Sequence, residues 1–447
     1  MTQAQPLSRI VDLTDPSLNC FYNVTPEAAR EAVAAGDVEA IRRIQGSFAL
    51  LGVSGQLVRL ARSMDRPLRY FIAKRHEGPC LVAADRIDTI HRFLQQEGLA
   101  EQFHPSYTRM VPAHHVTEIA LVGCPDPSPV QRRFFEPPRA ALPGDLDAIG
   151  RAYASALRTV IRRWLTLRAT AGPIGVCFSG GVDSGAVLVM TYHTLLETGG
   201  NPARLKAFTL AVEGDSPDLA QAQAFLDSLG LGFMLEAIEV PRGAVEWRAA
   251  VKLAEDYKPL DIEAAAMNLA LCRGIRDRYP NWRYLLDGDG GDENLKDYPI
   301  EENPELTIRS VLNNPMLYHE GWGVSSLKHS QTYSGGLSRG YVRTYAPARH
   351  LGFESFSPFT CPELIEIAEG IPFIELTDWQ HDKLYQLKGE VLSRGIRQIT
   401  GLELPVFPKR RFQQGAVRHD VFQLAFPREA NAYRRWFNSL YEQTGSA

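Results

Sequence analysis

One seven-residue segment, Phe178–Ser184, constrains the fold of this chain more than any other part of the sequence. The apolar, partly β-branched stretch Ile174–Phe178 leads into it and predicts a buried parallel strand. Gly185–Leu196 follows it, with apolar residues at helical spacing. A strand, a turn of serine and glycine and a helix N-terminus together form an anion site, because backbone N–H groups and the helix dipole both attract negative charge.

Asp183 lies inside this predicted anion site, where a carboxylate would repel a phosphate group. A divalent cation resolves the conflict, since Mg²⁺ binds carboxylate and phosphate oxygens together. Gly180 and Gly181 permit a close backbone approach that a β-carbon would hinder. The segment fits neither G-x-x-x-x-G-K-[ST] nor G-x-G-x-x-G. The alternative interpretation is a glycine-rich turn with a purely structural role.

Composition limits the class of protein. A chain of 447 residues with 45% apolar residues is long enough for two or three domains with sizeable cores. The net charge of −4 argues against a general surface for nucleic acid or membrane. Six cysteines without a C-x-x-C pair favour reduced thiols over disulfides or a zinc site. The sequence shows neither a signal peptide nor an apolar run of membrane-spanning length, so we expect a soluble, cytoplasmic protein.

The first part of the chain, residues 1–140, predicts an α+β domain. Pro26–Ile44 has a helical pattern, and a second helix is expected over residues 86–96. The predicted strands are residues 44–52, 56–61, 68–72 and 80–84. The proline-rich stretch of residues 124–144 is interpreted as a linker to the next domain.

The second part, residues 145–447, predicts a parallel sheet with helices on both faces. A long amphipathic helix follows Asp145, and strands then alternate with helices as far as Asp287. The predicted strands end at residues 178, 212, 240 and 286. In such folds ligands bind at the carboxyl ends of the strands, so the segments after residues 178 and 286 are expected to share one crevice.

A second glycine-rich segment, Asp287–Glu293, follows the last of these strands. Asp289, Asp292 and Glu293 fall within five positions and would repel one another without a cation among them. A solvated acidic turn is the alternative interpretation.

These segments resemble one known family. The segment of residues 179–184 resembles the SGGxDS loop of the PP-loop ATP pyrophosphatases, which cleave ATP to AMP and pyrophosphate. Residues 287–293 resemble S-G-E-G-x-D-E of asparagine synthetases and G-Y-G-S-D of β-lactam synthetases. Residues 352–359 resemble the G-x-E-x-x-x-P-F segment of that family, and residues 404–415 its L-P and R-x-K-x-x-F-x-x-G segments. The resemblance implies a C-terminal α/β domain of the PP-loop (adenine nucleotide α-hydrolase-like) class.

The N-terminal domain has a partial resemblance. Gly46–Leu50, Ala61–Ser63 and Pro67–Tyr70 resemble segments of the glutaminase domain of asparagine synthetases, an N-terminal nucleophile (Ntn) hydrolase. That glutaminase uses an N-terminal cysteine, whereas this sequence has Thr2. The resemblance therefore implies a degenerate, truncated Ntn-type domain without glutaminase activity. Thr2 as a nucleophile is the alternative.

The resemblance also assigns roles to individual residues. Asp183 and Asp292 would bind Mg²⁺, and Glu354, Lys409 and Asp289 would act in catalysis. The residues implied to contact ATP or pyrophosphate are Phe178, Ser179, Gly180, Gly181, Val182, Asp183, Ser184, Leu210, Asp287 and Gly288.

Three candidates have weaker support. Glu354 could instead form an ion pair at the end of an element, and Lys409 could belong to a solvated basic run. Lys388 and Arg394 are lesser candidates for contact with pyrophosphate.

The implied reaction uses ATP and Mg²⁺ to adenylate a small carboxylate and transfer its acyl group to an amine. The amine could belong to the same substrate, to a second molecule or to ammonia, and the sequence leaves all three open. A homodimer, or a peptide or carrier partner, is also compatible with the sequence. The other classes considered are an ammonia-dependent asparagine-synthetase-like enzyme, a PP-loop tRNA-modifying enzyme and a scaffold without activity.

Overall fold

The computed structural model of the chain describes residues 9–121, 128–214, 216–297, 307–313, 341–408, 415–417 and 419–442. The described residues divide into two compact units. The first contains residues 9–121, 128–136, 341 and 437–442. The second contains residues 137–214, 216–297, 307–313, 342–408, 415–417 and 419–436. None of the described helices combines the length and the apolar character needed to cross a membrane.

The first unit contains two four-stranded sheets. Its strands are β1 Arg9–Asp12, β2 Cys20–Phe21, β3 Gly46–Ser47, β4 Ala49–Ser54, β5 Leu57–Arg62, β6 Arg69–Ala73, β7 Cys80–Ala84, β8 Arg109–Met110, β9 His115–Ala120 and β10 Val130–Arg133. Its helices are α1 Pro26–Ala35, α2 Val38–Arg42 and α3 Ile87–Gln96. The sheet orders are β1-β7-β6-β8 and β10-β9-β5-β4, and β2 pairs with β3.

The core of this unit lies between the two sheets. Leu60 and Ile119 from one sheet and Leu81 from the other are fully buried in a single apolar cluster. Burial of each such aliphatic side chain contributes about 1.5–3 kcal/mol. A second cluster joins α3 to the other face of the first sheet. Helix α1 covers the other face of the second sheet, where a Cβ atom at Gly52 would lie 2.5 Å from the backbone nitrogen of Ala34. The layers therefore run helix, sheet, sheet, helix.

The structure corrects two expectations for this region. The helix predicted over Pro26–Ile44 ends at Gly36, whose left-handed φ of 69° terminates α1 before α2 begins. The region expected to be a linker contains β10, which pairs with β9. The predicted likeness to a truncated Ntn hydrolase stays a prediction.

The second unit is built on a five-stranded parallel sheet with the order β13-β12-β11-β14-β15. Its strands are β11 Ile174–Cys177, β12 Leu205–Val212, β13 Leu235–Val240, β14 Tyr284–Leu286 and β15 Glu354–Phe356. Ile174 at the start of β11 pairs with Leu205 on one side and with Tyr284 on the other. The parallel α/β arrangement predicted from the alternating pattern is confirmed for this unit.

The remaining helices of the described chain are α4 Leu146–Leu167, α5 Val182–Glu197, α6 Pro217–Ser228, α7 Trp247–Ala254, α8 Pro259–Arg278, α9 Gly291–Asn294, α10 Ile308–Leu312, α11 Ala346–His350, α12 Pro362–Gly370, α13 Phe373–Leu376, α14 Leu384–Thr400, α15 His419–Ala425 and α16 Asn431–Ser439. Helices α4 and α14 pack closely, since a Cβ atom at Gly395 would lie 2.2 Å from the carbonyl oxygen of Gly150. This packing sets the position of α14 in the second unit.

The order of the sheet places two connections side by side. From β11 the chain proceeds to β12 and β13 on one side, and it returns to β14 and β15 on the other. The segments that leave the carboxyl ends of β11 and β14 therefore meet at a topological switch point, where ligands bind in open α/β sheets.

Candidate active site

The connection between β11 and α5 has the predicted geometry, with the strand ending at Cys177 and the helix beginning at Val182. Gly180 has a φ of 73°, and a Cβ atom there would lie 2.7 Å from the backbone nitrogen of Ala222. Both conditions favour glycine. Gly181 is the N-cap of α5 and has no side chain that would cover the first turn. The N-terminus of α5 therefore presents backbone N–H groups and the positive end of a helix dipole to an anion.

The second glycine-rich connection, Asp287–Gly290, lies directly against the first. A Cβ atom at Gly288 would lie 2.6 Å from the backbone nitrogen of Ser184, and one at Gly291 would lie 2.2 Å from Oδ1 of Asp183. Real Cβ atoms do not approach other atoms so closely, so side chains at these glycines would separate the two connections. The glycines allow the two loops to pack together.

This packing brings Asp183 and Asp292 to one side chain, Lys388 of α14. Nζ of Lys388 lies 2.5 Å from Oδ2 of Asp183, 2.5 Å from Oδ1 of Asp292 and 3.8 Å from Oδ2 of Asp297. The side chain of Lys388 is 1% exposed. Burial lowers the pKa of Lys388, but the three carboxylates outweigh burial and hold that pKa well above its usual value. The carboxylates predicted to bind Mg²⁺ therefore share one buried positive charge.

The donor set fits Mg²⁺ in the form in which enzymes bind it with ATP. Mg²⁺ commonly takes one or two carboxylates from the protein, with phosphate oxygens and water completing its shell. Asp183 and Asp292 are hard oxygen donors that already converge on a cation, with side chains 19% and 23% exposed. No group of three or more His, Cys, Asp or Glu side chains suited to a metal occurs within the described part of the chain.

One cavity of the second unit contains both connections. Ser179, Asp183, Gly288 and Asp292 line it together with Lys388. Further lining residues come from α6, α8, the segment 341–345 and α14, and they include Asp218, Gln221, Leu260, Ala264, Asn268, Arg343, Thr344 and Tyr385. The shared crevice predicted from the sequence is thus present.

Asp289 lines the same cavity, beside Arg343 and Thr344. Burial raises the pKa of Asp289 to about 7, and repulsion from Glu293 and Asp292 adds to the rise. The positive charge of Arg343 and a hydrogen bond with Thr344 oppose it. A carboxyl group that titrates near neutral pH is well suited to accept a proton from a reacting group.

Arg343 is fixed at the cavity wall by residues of α8. Its Nε and Nη2 atoms each lie 3.0 Å from Oδ1 of Asp261. Nδ2 of Asn268 donates to the carbonyl oxygen of Arg343 and to Oγ1 of Thr344, both at 3.0 Å. Tyr341–Tyr345 forms a π-helical turn, and such turns often occur at functional sites. A guanidinium held in this way is suited to pair with a carboxylate.

Glu354 lies away from this cavity. It is the first residue of β15 and pairs with Tyr284, the first residue of β14. It therefore lies at the amino end of the parallel sheet, whereas the cavity lies at the carboxyl end. Its carboxylate pairs with Arg283, and Oε2 lies 3.3 Å from Nη2 of Arg168. Glu354 is not among the described residues that line the cavity, and it forms the ion pairs that the alternative interpretation expects. Its role at the acceptor site stays a prediction.

Three further predicted contacts have different outcomes. Lys409 lies outside the described residues, so its role stays a prediction, although the preceding Pro408 lines the cavity. Phe178 lines the cavity and packs edge-on against Phe225. Leu210 is buried in β12 and is not among the described residues that line the cavity. Its contact with adenine also stays a prediction.

Arg343 and Asn268 were not predicted from the sequence, and Lys388 was predicted only as a lesser candidate for contact with pyrophosphate. A signal for Lys388 was present, because it shares the apolar face of α14 with Leu387 and Val391. A lysine is rarely fully buried unless it is paired, so a lysine in an apolar stripe points to buried partners. Arg343 had no comparable signal, since its partners lie on α8, far away in the sequence.

Comparison with known proteins gives an independent result. Residues 156–373 match the asparagine synthase family. Asparagine synthetase [glutamine-hydrolyzing] 2 of Lotus japonicus is 27% identical over 248 residues, which are 54% of this chain and 38% of that protein. The chain thus spans well under half the length of this relative. The matched region contains β11–β15 and both glycine-rich connections. On these grounds, residues 156–373, just under half of this chain, are similar to the asparagine synthase family.

Proposed function

We propose that this chain is a synthetase that uses ATP to adenylate a substrate carboxylate and then transfers the acyl group to an amine. A free carboxylate does not acylate an amine at neutral pH, because its oxygen is a poor leaving group. Attack of the carboxylate on the α-phosphorus of ATP forms an acyl-adenylate and releases pyrophosphate. The observation that carries the proposal is the meeting of Asp183 and Asp292, from two separate loops, around one cation in the cavity that also contains Asp289.

The first half-reaction assigns a role to each part of the cavity. Asp183 and Asp292 would hold Mg²⁺, which when bound offsets the negative charge of the triphosphate. The backbone of Ser179–Ser184 would bind the departing pyrophosphate at the N-terminus of α5. Lys388 supplies a further positive charge at the same place. Arg343 would bind the substrate carboxylate and orient it for attack.

The second half-reaction needs a base. The nitrogen of the amine bonds to the acyl carbon, the AMP oxygen leaves with the electron pair, and the nitrogen loses a proton. Asp289 lines the cavity and would accept that proton. By resemblance to the family, Lys409 would offset charge on the acyl oxygen. Glu354 has no part in the proposal, because it lies at the opposite end of the sheet.

The source of the amine divides the proposal into branches. An amine of the same substrate would close a ring, as in β-lactam synthetases, and a second molecule would give an intermolecular amide. Ammonia-dependent formation of asparagine is the alternative. The name of the Lotus japonicus relative supports asparagine as the product, although that name describes the relative as glutamine-hydrolyzing. We propose that glutamine is not the donor, since the first part of the chain resembles only some segments of the family's glutaminase domain.

A pyrophosphate-release assay tests the proposal. The purified chain is incubated with ATP, MgCl₂ and a panel of small carboxylic acids that includes L-aspartate, each with and without ammonium chloride or a primary amine. We expect at least one acid to support release, and we expect Asp183→Asn and Asp292→Asn to abolish it. Asp227→Asn, on the exposed end of α6, serves as the control. Unchanged turnover in the two variants would remove both carboxylates from the proposal, and release that requires tRNA would favour a tRNA-modifying enzyme.

A further inference from the structure

The turn that carries Asp289 is built on a second carboxyl group, that of Asp287. Asp287 directly follows β14 and is 2% exposed. Its Oδ1 atom accepts a hydrogen bond of 3.0 Å from the backbone N–H of Asp289. An aspartate that binds the N–H two residues further on forms an Asx turn, which fixes the backbone between them. The direction of Asp289 therefore depends on the carboxyl group of Asp287.

Ser357 holds that carboxyl group from the neighbouring strand. Ser357 directly follows β15, and its hydroxyl donates a hydrogen bond of 2.8 Å to Oδ2 of Asp287. The backbone N–H of Asp287 donates in turn to the carbonyl oxygen of Phe356. Ser357 is 3% exposed and is not among the described residues that line the cavity. Both oxygens of Asp287 thus have a donor, one within the turn and one behind it.

The surroundings also shift the pKa values of Asp287 and Asp289. Burial, followed by the charge of Asp289, raises the pKa of Asp287 well above its usual value. Asp292 and Glu293 repel Asp289 from its own segment, whereas Arg343 and Thr344 stabilise its ionised form from the π-helical turn. The hydrogen bonds from Ser357 and from the backbone N–H of Asp289 act in the opposite direction and lower the pKa of Asp287. A neutral carboxyl group has the same shape as an asparagine amide, and both offer an oxygen to the N–H of Asp289.

We propose that Asp287 and Ser357 are positioning residues that hold Asp289 in the orientation from which it accepts the proton of the attacking amine. The inference rests on the proposed function, because it requires an amine substrate. In the step concerned, the C–N bond forms, the bond between the acyl carbon and the AMP oxygen breaks, and the proton moves from nitrogen to Asp289. Asp287 and Ser357 take no part in this proton transfer and act only through the turn.

The test compares four variants of the full chain. Asp287→Ala removes the acceptor of the turn, Asp287→Asn keeps it, and Ser357→Ala removes the donor behind it. Ser355→Ala is the matched control, because Ser355 lies two residues before Ser357, on β15, and is 8% exposed. Its hydroxyl has no hydrogen-bond partner among the described residues. Two quantities are measured. The first is the hydrogen exchange rate of the backbone amide of Asp289. The second is the division of the acyl-adenylate between amide and hydrolysed acid. Ammonium chloride supplies the amine, and the substrate is an acid that supports pyrophosphate release by the wild-type chain.

We expect Asp287→Ala to speed exchange at Asp289 and to lower amide formation by about 10²-fold, the usual cost of a misplaced reacting group. Ser357→Ala should change both quantities in the same direction by less, and Ser355→Ala should change neither. Asp287→Asn should restore both towards the wild type.

Amide formation at the wild-type level in Asp287→Ala would overturn the inference. So would an Asp287→Asn variant as impaired as Asp287→Ala, because a direct role in proton transfer would then replace positioning. Should Asp287→Ala fail to fold, Ser357→Ala compared with Ser355→Ala decides the question. Wild-type protein that releases no pyrophosphate with any acid would defeat the proposed function, whereas the exchange rates would still decide whether Asp287 and Ser357 hold the turn.

Discussion

Lys388 shows how much of the site depends on a single residue. Its ammonium group is buried against Asp183 and Asp292, which come from two different loops. Two carboxylates that contact the same cation repel each other once the cation is removed. A buried ammonium group without partners also costs free energy. The three residues therefore depend on one another, and the loss of one leaves the others uncompensated.

The first prediction concerns the stability that this arrangement provides. Lys388→Met should lower the free energy of unfolding by about 3–5 kcal/mol, because it removes one partner from a buried charge network. MgCl₂ should restore part of the loss, since a metal ion can take the place between the two carboxylates. Urea unfolding with and without MgCl₂ measures both effects.

Lys383→Met is the control, because Lys383 pairs with exposed Asp378 just before α14. An exposed pair contributes about 0–1 kcal/mol, so this variant should unfold close to the wild type. Equal losses in the two variants, or no response of Lys388→Met to MgCl₂, would contradict the prediction.

The second prediction concerns Asp289 and pH. Because the pKa of Asp289 is raised to about 7, the group is protonated below that pH and cannot accept a proton. Amide formation should therefore rise as the pH increases through about 7, whereas pyrophosphate release should not follow the same curve. Asp289→Asn should slow amide formation by about 10²–10⁴-fold above pH 7, the usual worth of one proton-transfer group, and the difference from the wild type should shrink at lower pH.

Glu354→Gln provides the comparison for Asp289→Asn. The side chain of Glu354 pairs with Arg283 at the amino end of the sheet, so this variant should keep the wild-type division between amide and hydrolysed acid. A large loss of amide formation in Glu354→Gln, with no loss in Asp289→Asn, would show that the base is Glu354, as the sequence motif indicated.

At the level of elements, the site depends on the fit between two loops and one helix. The connection after β11 and the connection after β14 touch through glycines, and α14 brings Lys388 to them. Helix α14 is itself set against α4 at Gly150 and Gly395, where the backbones come into contact. Packing of backbone on backbone leaves little freedom, so small side chains at these places determine the distances within the site.

The third prediction tests this fit. A Cβ atom at Gly291 would lie 2.2 Å from Oδ1 of Asp183, so Gly291→Ala should displace Asp183 and reduce pyrophosphate release. The helical position of Gly291 would otherwise favour alanine, which makes a loss of activity informative. Rates measured at increasing MgCl₂ concentrations should show that this variant needs more MgCl₂ than the wild type to reach half of its maximal rate.

Gly243→Ala is the matched control, because nothing lies within 4 Å of a Cβ atom at that position. It should release pyrophosphate at the wild-type rate. Equal rates in both alanine variants would show that the loop can move aside without consequence.

At the level of the whole molecule, the described residues form two units with different architectures. The fourth prediction is that a non-hydrolysable ATP analogue with Mg²⁺ slows hydrogen exchange in β11, α5 and the connection after β14, and leaves the two sheets of the first unit unchanged. A ligand at 100 times its dissociation constant stabilises the state that binds it by about 2.7 kcal/mol. Exchange followed by mass spectrometry measures the effect, and protection confined to β4 and β5 would contradict it.

The parallel sheet could be predicted from the sequence, because strands buried on both faces appear as short apolar runs between helices. The two loops could be predicted as well, since each carries its glycines and carboxylates within a few residues. Lys388 could not be assigned in the same way, because it lies 205 residues from Asp183 and 96 residues from Asp292. Only the packing of α14 brings these residues together.

Glu354 shows a different limit. The motif around it predicts a segment next to the acceptor site, but the motif does not state at which residue the strand begins. Strand β15 has only three residues. The residue at which it begins therefore decides whether Glu354 lies at the amino end or at the carboxyl end of the parallel sheet. The parallel pairing of β1 with β7 in the first unit was missed for a related reason, because strand partners far apart in sequence leave no local signal.

The place of β14 in the sheet has a consequence for the order in which the chain is synthesised. The ribosome completes β11, β12 and β13 before it reaches residue 284, and α14 comes about one hundred residues later still. A nascent chain that ends before β14 contains the first loop but lacks Asp292 and Lys388. Asp183 then has neither its neighbouring carboxylate nor its counter-ion, so nucleotide binding should begin only when nearly the whole second unit has been made. Truncated chains that end inside the second unit would therefore be poor starting points for the design of a smaller protein that binds ATP.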